Sequence, residues 1–128
     1  MESKVSNRRL VNIGYEVKVA NATTPMEFQA NFNLDFTPDE VIVRNAVIVR
    51  DVTAAGVGLY VLRSSLVDNR DLCVLSNAMN SNPQVRHNLR QPLRGNYFFK
   101  VYDINGSPTL FPNGNNSFLA VSLEFIKY

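Results

Sequence analysis

The stretch Met26-Glu-Phe-Gln-Ala-Asn-Phe-Asn-Leu-Asp-Phe36 alternates apolar and polar residues without a break. A β-strand sends successive side chains to opposite faces. The pattern therefore puts Met26, Phe28, Ala30, Phe32, Leu34 and Phe36 on one side and Glu27, Gln29, Asn31, Asn33 and Asp35 on the other. A helix would scatter the same apolar residues around its axis. A slip of one residue would turn the whole apolar row to water, so the register is firmly specified. The chain must supply a two-faced sheet with a core on one side of it.

The rest of the sequence continues in strands. Within residues 10–19, Ile13, Tyr15, Val17 and Val19 share a face, and residues 21–25 form a turn into the alternating stretch. Thr37-Pro38-Asp39-Glu40 has the residue order of a capped helix start. The β-branched run Val-Ile-Val-Arg-Asn-Ala-Val-Ile-Val that follows disfavours helix, so the prediction is a turn, or at most one helical turn, and then a central strand. After small residues at 54–56, Leu59-Tyr60-Val61-Leu62 opens another strand, and residues 68–71 turn before a strand at 72–75. Residues 72–79 could instead form a short helix, and 76–83 read as loop. Residues 84–93 look extended, with Gly95-Asn96 as a hairpin turn into Tyr97-Phe-Phe-Lys-Val-Tyr102. Asn105-Gly106 and Asn113-Gly114 bracket a long loop, and Leu119, Val121, Leu123 and Phe125 mark a last strand.

The expected fold is therefore all-β: a single-domain β-sandwich of about eight antiparallel strands, the strand count of a jelly roll. Residues 1–9 read as a polar, basic N-terminal arm and 10–128 as the domain, and a chain of 128 residues is long enough to bury a core. Asparagine, at about one residue in eight, tolerates the turn and left-handed conformations that such a fold needs in its loops.

Little in the sequence carries chemistry. A single cysteine, Cys73, rules out an internal disulfide framework and suits an intracellular site of synthesis. With one histidine, His87, any metal cluster would have to rely on carboxylates, so no metal or cofactor is expected. Cys73 lies in the apolar run 72–75, where a buried thiol is the simple reading, and nothing near it or His87 resembles a nucleophile motif. Phosphate loops and nucleophile elbows are missing. Asp103-Ile-Asn-Gly106 opens like a calcium loop but lacks the later ligands, and a hairpin turn accounts for it. The expectation is a non-enzyme, with neither Cys73 nor His87 needed for its work. No apolar run approaches the roughly 20 residues of a membrane span. The segment MESKVSNRRL has no apolar core, so no cleavable signal is expected and the sequons at Asn21 and Asn115 read as chance.

Two features point toward partners. Net charge is +2 and the sequence pI about 8.8, too mild to announce a nucleic-acid binder. Arg86, Arg90 and Arg94 would line up on one side of an extended segment, opposite Val85, Leu89 and Leu93. Pro83 and Pro92 would put that segment at a sheet edge, where charge discourages unwanted pairing. The same row could meet an anionic partner, although no aromatic residue alternates with the arginines as single-stranded nucleic acid would require. Leu110 and Phe111, between turn signals, are a candidate self-association surface.

Three patches, Phe36-Thr-Pro-Asp-Glu-Val-Ile-Val-Arg44, Leu62-Arg-Ser-Ser-Leu66 and Ser122-Leu-Glu-Phe-Ile-Lys-Tyr128, resemble the small single jelly-roll or β-sandwich capsid and virion-associated proteins of virophages, polinton-like viruses and large DNA viruses. The resemblance spans about two thirds of the chain. It implies a virion component acting through protein–protein assembly: a minor capsid, cement or spike- or vertex-associated part, forming a homo-oligomer for which a trimer is favoured, with other capsid proteins as partners. No functional residue comes with it. The alternative is a trimeric lectin-like or TNF-like module recognising a glycan or receptor.

The alternating stretch makes a direct prediction. Phe32→Ala is expected to lower stability by about 3–5 kcal/mol, the usual cost of emptying a buried phenylalanine site, and Asn31→Ala to change it little. Denaturant melts of the two variants measure this, and equal losses would refute the register.

Overall fold

The computed structural model describes residues 5–17, 27–49, 59–76, 83–89, 91–103 and 117–128. Among them run β1 (Asn7–Val17), β2 (Glu27–Asn33), β3 (Glu40–Val49), β4 (Leu59–Ser64), β5 (Arg70–Ser76), β6 (Val85–Asn88), β7 (Arg94–Asp103) and β8 (Ser117–Lys127). A single 3₁₀ turn, Ser65–Val67, joins β4 to β5, its first free amide at Leu66 capped by the Ser64 hydroxyl at 3.1 Å.

Pairing is antiparallel throughout, in two four-stranded sheets with orders β1-β8-β3-β6 and β2-β7-β4-β5. The partners β1 with β8, β2 with β7, β3 with β6 and β4 with β5 are those of one long ribbon doubled back on itself. Two further pairings, β8 with β3 and β7 with β4, roll that ribbon up into two stacked sheets. This is jelly-roll connectivity. The described residues form the expected all-β sandwich, with eight strands among them.

The inner faces meet in one core. From the first sheet come Val41, Val43, Ala46, Ile48, Leu119, Val121, Leu123 and Phe125; from the second, Phe32, Tyr60, Leu62, Leu72, Leu75, Phe99 and Val101. Phe32 sits where they meet. Its ring lies edge-on to Phe125 of the opposite sheet at 5.4 Å, edge-on to Phe99 at 6.3 Å and tilted against Tyr97 at 5.7 Å, while Phe28 stacks on Phe99 at 5.2 Å. These are the offset and edge-to-face arrangements aromatic rings prefer.

The alternating stretch behaves as read, with Phe32 and Leu34 buried and Gln29, Asn31, Asn33 and Asp35 exposed; Met26 lies outside the described residues. Its strand is shorter than its pattern, because after Asn33 the chain must leave for the other sheet. There the Leu34 amide bonds Leu93 O at 3.2 Å instead of a ladder partner. The chain bends at 35–36 and at Asp39 without a helical turn, and β3 is the expected central strand.

Other expectations need correction. Gly95-Asn96 is not a hairpin turn. Both residues lie inside β7, opposite Phe32 and Asn31, because β6 and β7 belong to different sheets and the crossover falls between them. Gly95 instead relaxes the strand, at φ +103. The polar stretch at the N-terminus is not all arm, since β1 begins at Asn7, opposite Lys127. Asp68 and Asn69 alone make the next turn, both left-handed at φ 58 and 59, and Arg70 and Asp71 already belong to β5. The strand expected at 72–75 does form, as part of β5, and the alternative helix over these residues does not.

The outward face of the first sheet is held by charge. The pairing of β3 with β8 slips between Val43 and Asn45, so Arg44 is an extra residue that restores Ala46 and Ile48 to the core. Gln84, itself left-handed at φ 53, clasps this bulge: its amide oxygen accepts from Arg44 Nη1 and its amide nitrogen donates to Arg44 O. Thus placed, Arg44 donates through Nε and Nη2 to Glu124 Oε1 at 3.2 and 2.6 Å. Glu124 is only 8% exposed, and Arg8 approaches the same oxygen at 3.6 Å.

Removing one member of a buried, hydrogen-bonded ion pair strands the other. A double-mutant cycle on Arg44→Ala and Glu124→Ala should therefore show a coupling of about 1–3 kcal/mol. Arg8→Ala should cost less, since its side chain is half exposed and farther from the carboxylate. Chemical denaturation of the four species reads the coupling; additive losses would show the pair to be idle.

Candidate functional site

The three arginines expected in one row do not form one. Arg86 lies on β6 in the first sheet and Arg94 begins β7 in the second, because the segment between them crosses the sandwich; Arg90 lies outside the described residues. Arg86 is also committed. Its Nη1 donates to Glu40 Oε1 at 2.7 Å, diagonally across the β3–β6 pairing in which Arg86 itself faces Ile42, and to the Tyr128 hydroxyl at 3.3 Å. Tyr128 in turn donates to Glu40, a bond that raises its pKa above the ordinary phenol value. Arg94 instead borders a separate depression with Leu34, Asp35, Phe36, Thr37 and Pro92. Leu110 and Phe111 lie outside the described residues.

A constellation that the sequence reading did not assemble lies along one side of the sandwich, where β5 and β6 are each an edge strand of their sheet. The pairing of β4 with β5 shifts between Leu62 and Arg63, which leaves Leu72 as the extra residue of a bulge on an edge strand. His87 pairs with Val41, so it faces inward from β6. It crosses to the other sheet and bonds Leu72 O through Nε2 at 2.8 Å. A carbonyl only accepts, so Nε2 carries the proton.

Beside this bond, Arg63, Asn69, Arg70, Asp71 and His87 line an open depression of about 480 Å³. Arg63 and Asp71 are direct cross-strand partners, joined from Nε to Oδ1 at 2.8 Å. That bond raises the Arg63 pKa, and the guanidinium also lies over the Tyr102 ring at 4.5 Å. Arg70 donates from Nε to Val67 O at 3.1 Å. A hairpin pairing β4 with β5 would have placed Arg63 opposite Asp71 from sequence alone. The approach of His87, from the far sheet, had no local signal.

Cys73 faces the core as expected, next to the bulge. Burial pushes its thiol from 9.0 up to about 12. Among the described residues no cluster of three or more His, Cys, Asp or Glu side chains is arranged to hold a metal ion, and no helix is long and apolar enough to cross a membrane.

No protein-family model matches the sequence, and no curated protein does. Among solved structures, the chain is similar to the serine protease of Aeromonas sobria at 13% identity and a TM-score of 0.41, covering 94% of this chain and 27% of that one. It is similar to the infectious bursal disease virus VP2 subviral particle at 14% identity and 0.44, covering 97% and 34%. The Drosophila NLP-core, a structure concerned with pentamer formation and histone binding, matches at 14% and 0.36, covering 91% and 98%. The chain thus spans about a third or less of the protease and the viral protein. Identities and scores this low carry nothing about what it does.

The state of the thiol sets a pH dependence. Above 9.0 the unfolded chain releases a proton that the folded chain keeps until about 12, so stability falls as pH rises through that window and is unaffected by Cys73 below it. Native protein at pH 8 should resist iodoacetamide, and Cys73→Ala should lose less stability on alkaline titration than the parent. Rapid alkylation of the folded chain would show the thiol to be accessible.

Proposed function

We propose that this chain is a non-enzymatic structural component of a viral particle, synthesised in the host cytoplasm and acting through assembly: a minor capsid, cement or spike- or vertex-associated part. A homo-oligomer, with a closed trimer favoured, is its working form, and other capsid proteins are its further partners. Jelly-roll connectivity suits this role, being common to capsid and lectin domains, though a fold by itself names no function. The three patches that resemble virion proteins fall on the turn into β3, on β4 with its 3₁₀ turn, and on β8.

The observation that carries the reading is the β1 edge. Edge strands offer unpaired backbone groups, and proteins that stay monomeric blunt them. Of the other edge strands, β6 is short, β5 is bulged at Leu72, and β2 is regular but only seven residues long, with the charged Glu27 at its start. By contrast β1 runs from Asn7 to Val17 against β8 with no irregularity. Beyond Arg8 and Arg9 it presents the uncharged run Leu10-Val-Asn-Ile-Gly14, with Leu10 56% exposed. A neighbouring chain can extend the sheet there.

Light scattering of the wild type at micromolar concentration should find an oligomer, and Leu10→Lys or Asn12→Lys, which charge the edge without touching the core, should shift it toward monomer. A wild-type monomer, or an oligomer indifferent to both substitutions, would overturn the assignment of assembly to this edge.

A further inference from the structure

The depression between β5 and β6 is organised before any guest arrives. All three basic groups around it are anchored through their ε nitrogens: Arg63 on Asp71 Oδ1, Arg70 on Val67 O and His87 on Leu72 O. Side chains already held in place lose little freedom on binding a ligand. The unused atoms are the informative ones. Arg70 Nη1 and Nη2, and His87 Nδ1, make no hydrogen bond to any described residue.

Charge and hydrogen-bonding sense define the guest. Asp71 offsets Arg63, and among the described residues no carboxylate pairs with Arg70, so one positive charge is left over. A guanidinium edge fits a single planar or tetrahedral oxyanion in two parallel bonds. The other free atoms are mainly acceptors. In the tautomer with its proton on Nε2, the His87 ring accepts at Nδ1, and Asp71 Oδ2 accepts as well; Asn69 offers both senses. A bare inorganic anion would face those acceptors without protons to give them. An anion carried on a ring of hydroxyl groups supplies what each atom lacks. The volume, about 480 Å³, lies in the range of small-ligand sites, and the residues that line it are all polar or charged.

We infer that this depression binds an acidic sugar, a carboxylate- or sulfate-bearing unit of a glycan. Arg70 grips the anion, while Asp71, His87 and Asn69 hold the ring hydroxyls. The site is open, so a single unit binds weakly, on the order of 1 mM, and repetition in an oligomer would strengthen the attachment. The inference does not depend on assembly through β1, which lies at the far edge of the first sheet from β6.

Amide chemical-shift titration of the full chain tests it, with N-acetylneuraminic acid, glucuronic acid, glucose and inorganic sulfate as separate probes. Both acidic sugars should shift the amides of residues 63, 69–71 and 87, and more strongly than glucose or sulfate. Arg70→Gln should weaken binding about tenfold, while Arg86→Gln, outside the depression, should leave it unchanged. Should Arg70→Gln fail to fold, Asn69→Gly keeps the left-handed turn, deletes only the amide and should weaken binding about threefold. Sulfate binding as well as the acidic sugars would reduce the site to bare charge and overturn the inference. So would silence of these amides at about 20 mM sugar, or binding indifferent to both variants.

Discussion

Phe32, edge-on to Phe125 across the space between the two sheets, is the contact on which the remaining structure depends. It belongs to the second strand and reaches the last, so it closes a loop of most of the chain. Such distant contacts form only once the ribbon has doubled and rolled. Phe99 and Tyr97 hold the ring from its own sheet and fix the depth at which the sheets stack. Once that depth is set, the pairings of β8 with β3 and β7 with β4 are the ones that put the remaining apolar rows inside.

The roll leaves different chemistry on its outer surfaces. On the first sheet, ion pairs spend the available charge internally: Glu124 with Arg44 and Arg8, and Glu40 with Arg86. Those arginines stabilise the sheet and are poorly placed to meet an anionic partner. The opposite holds between β5 and β6. There a histidine from the other sheet caps the carbonyl of the bulged Leu72, and two arginines are held by their ε nitrogens with Arg70 left uncompensated. The two bulges do opposite jobs. One recruits an arginine to stabilise the sheet, and the other shapes an opening at its edge.

Much of the fold was legible in the order of residues. Alternation from Met26 to Phe36 and from Leu119 to Phe125 named the strands and their inward faces, because a period of two has only one burial solution in a sheet. Cys73 was readable as a core thiol from its apolar neighbours. Arg86, Arg90 and Arg94 misled for the same reason: equal spacing means one face only while the chain stays in one strand. Here it changes sheets between Asn88 and Arg94. Gly95-Asn96 misled likewise, since a turn dipeptide makes a hairpin only between strands that can pair.

By itself, the sequence determined the class of fold, the inward-facing residues and the absence of a recognisable catalytic motif, all of which follow from local periodicity and residue chemistry. Only the tertiary structure decided which strands are neighbours, where the bulges fall and which charges are already paired. Those outcomes depend on contacts between residues far apart in the chain. Arg44 meets Glu124, and His87 meets Leu72, because the rolled ribbon brings their strands side by side; no spacing within a single strand encodes either meeting.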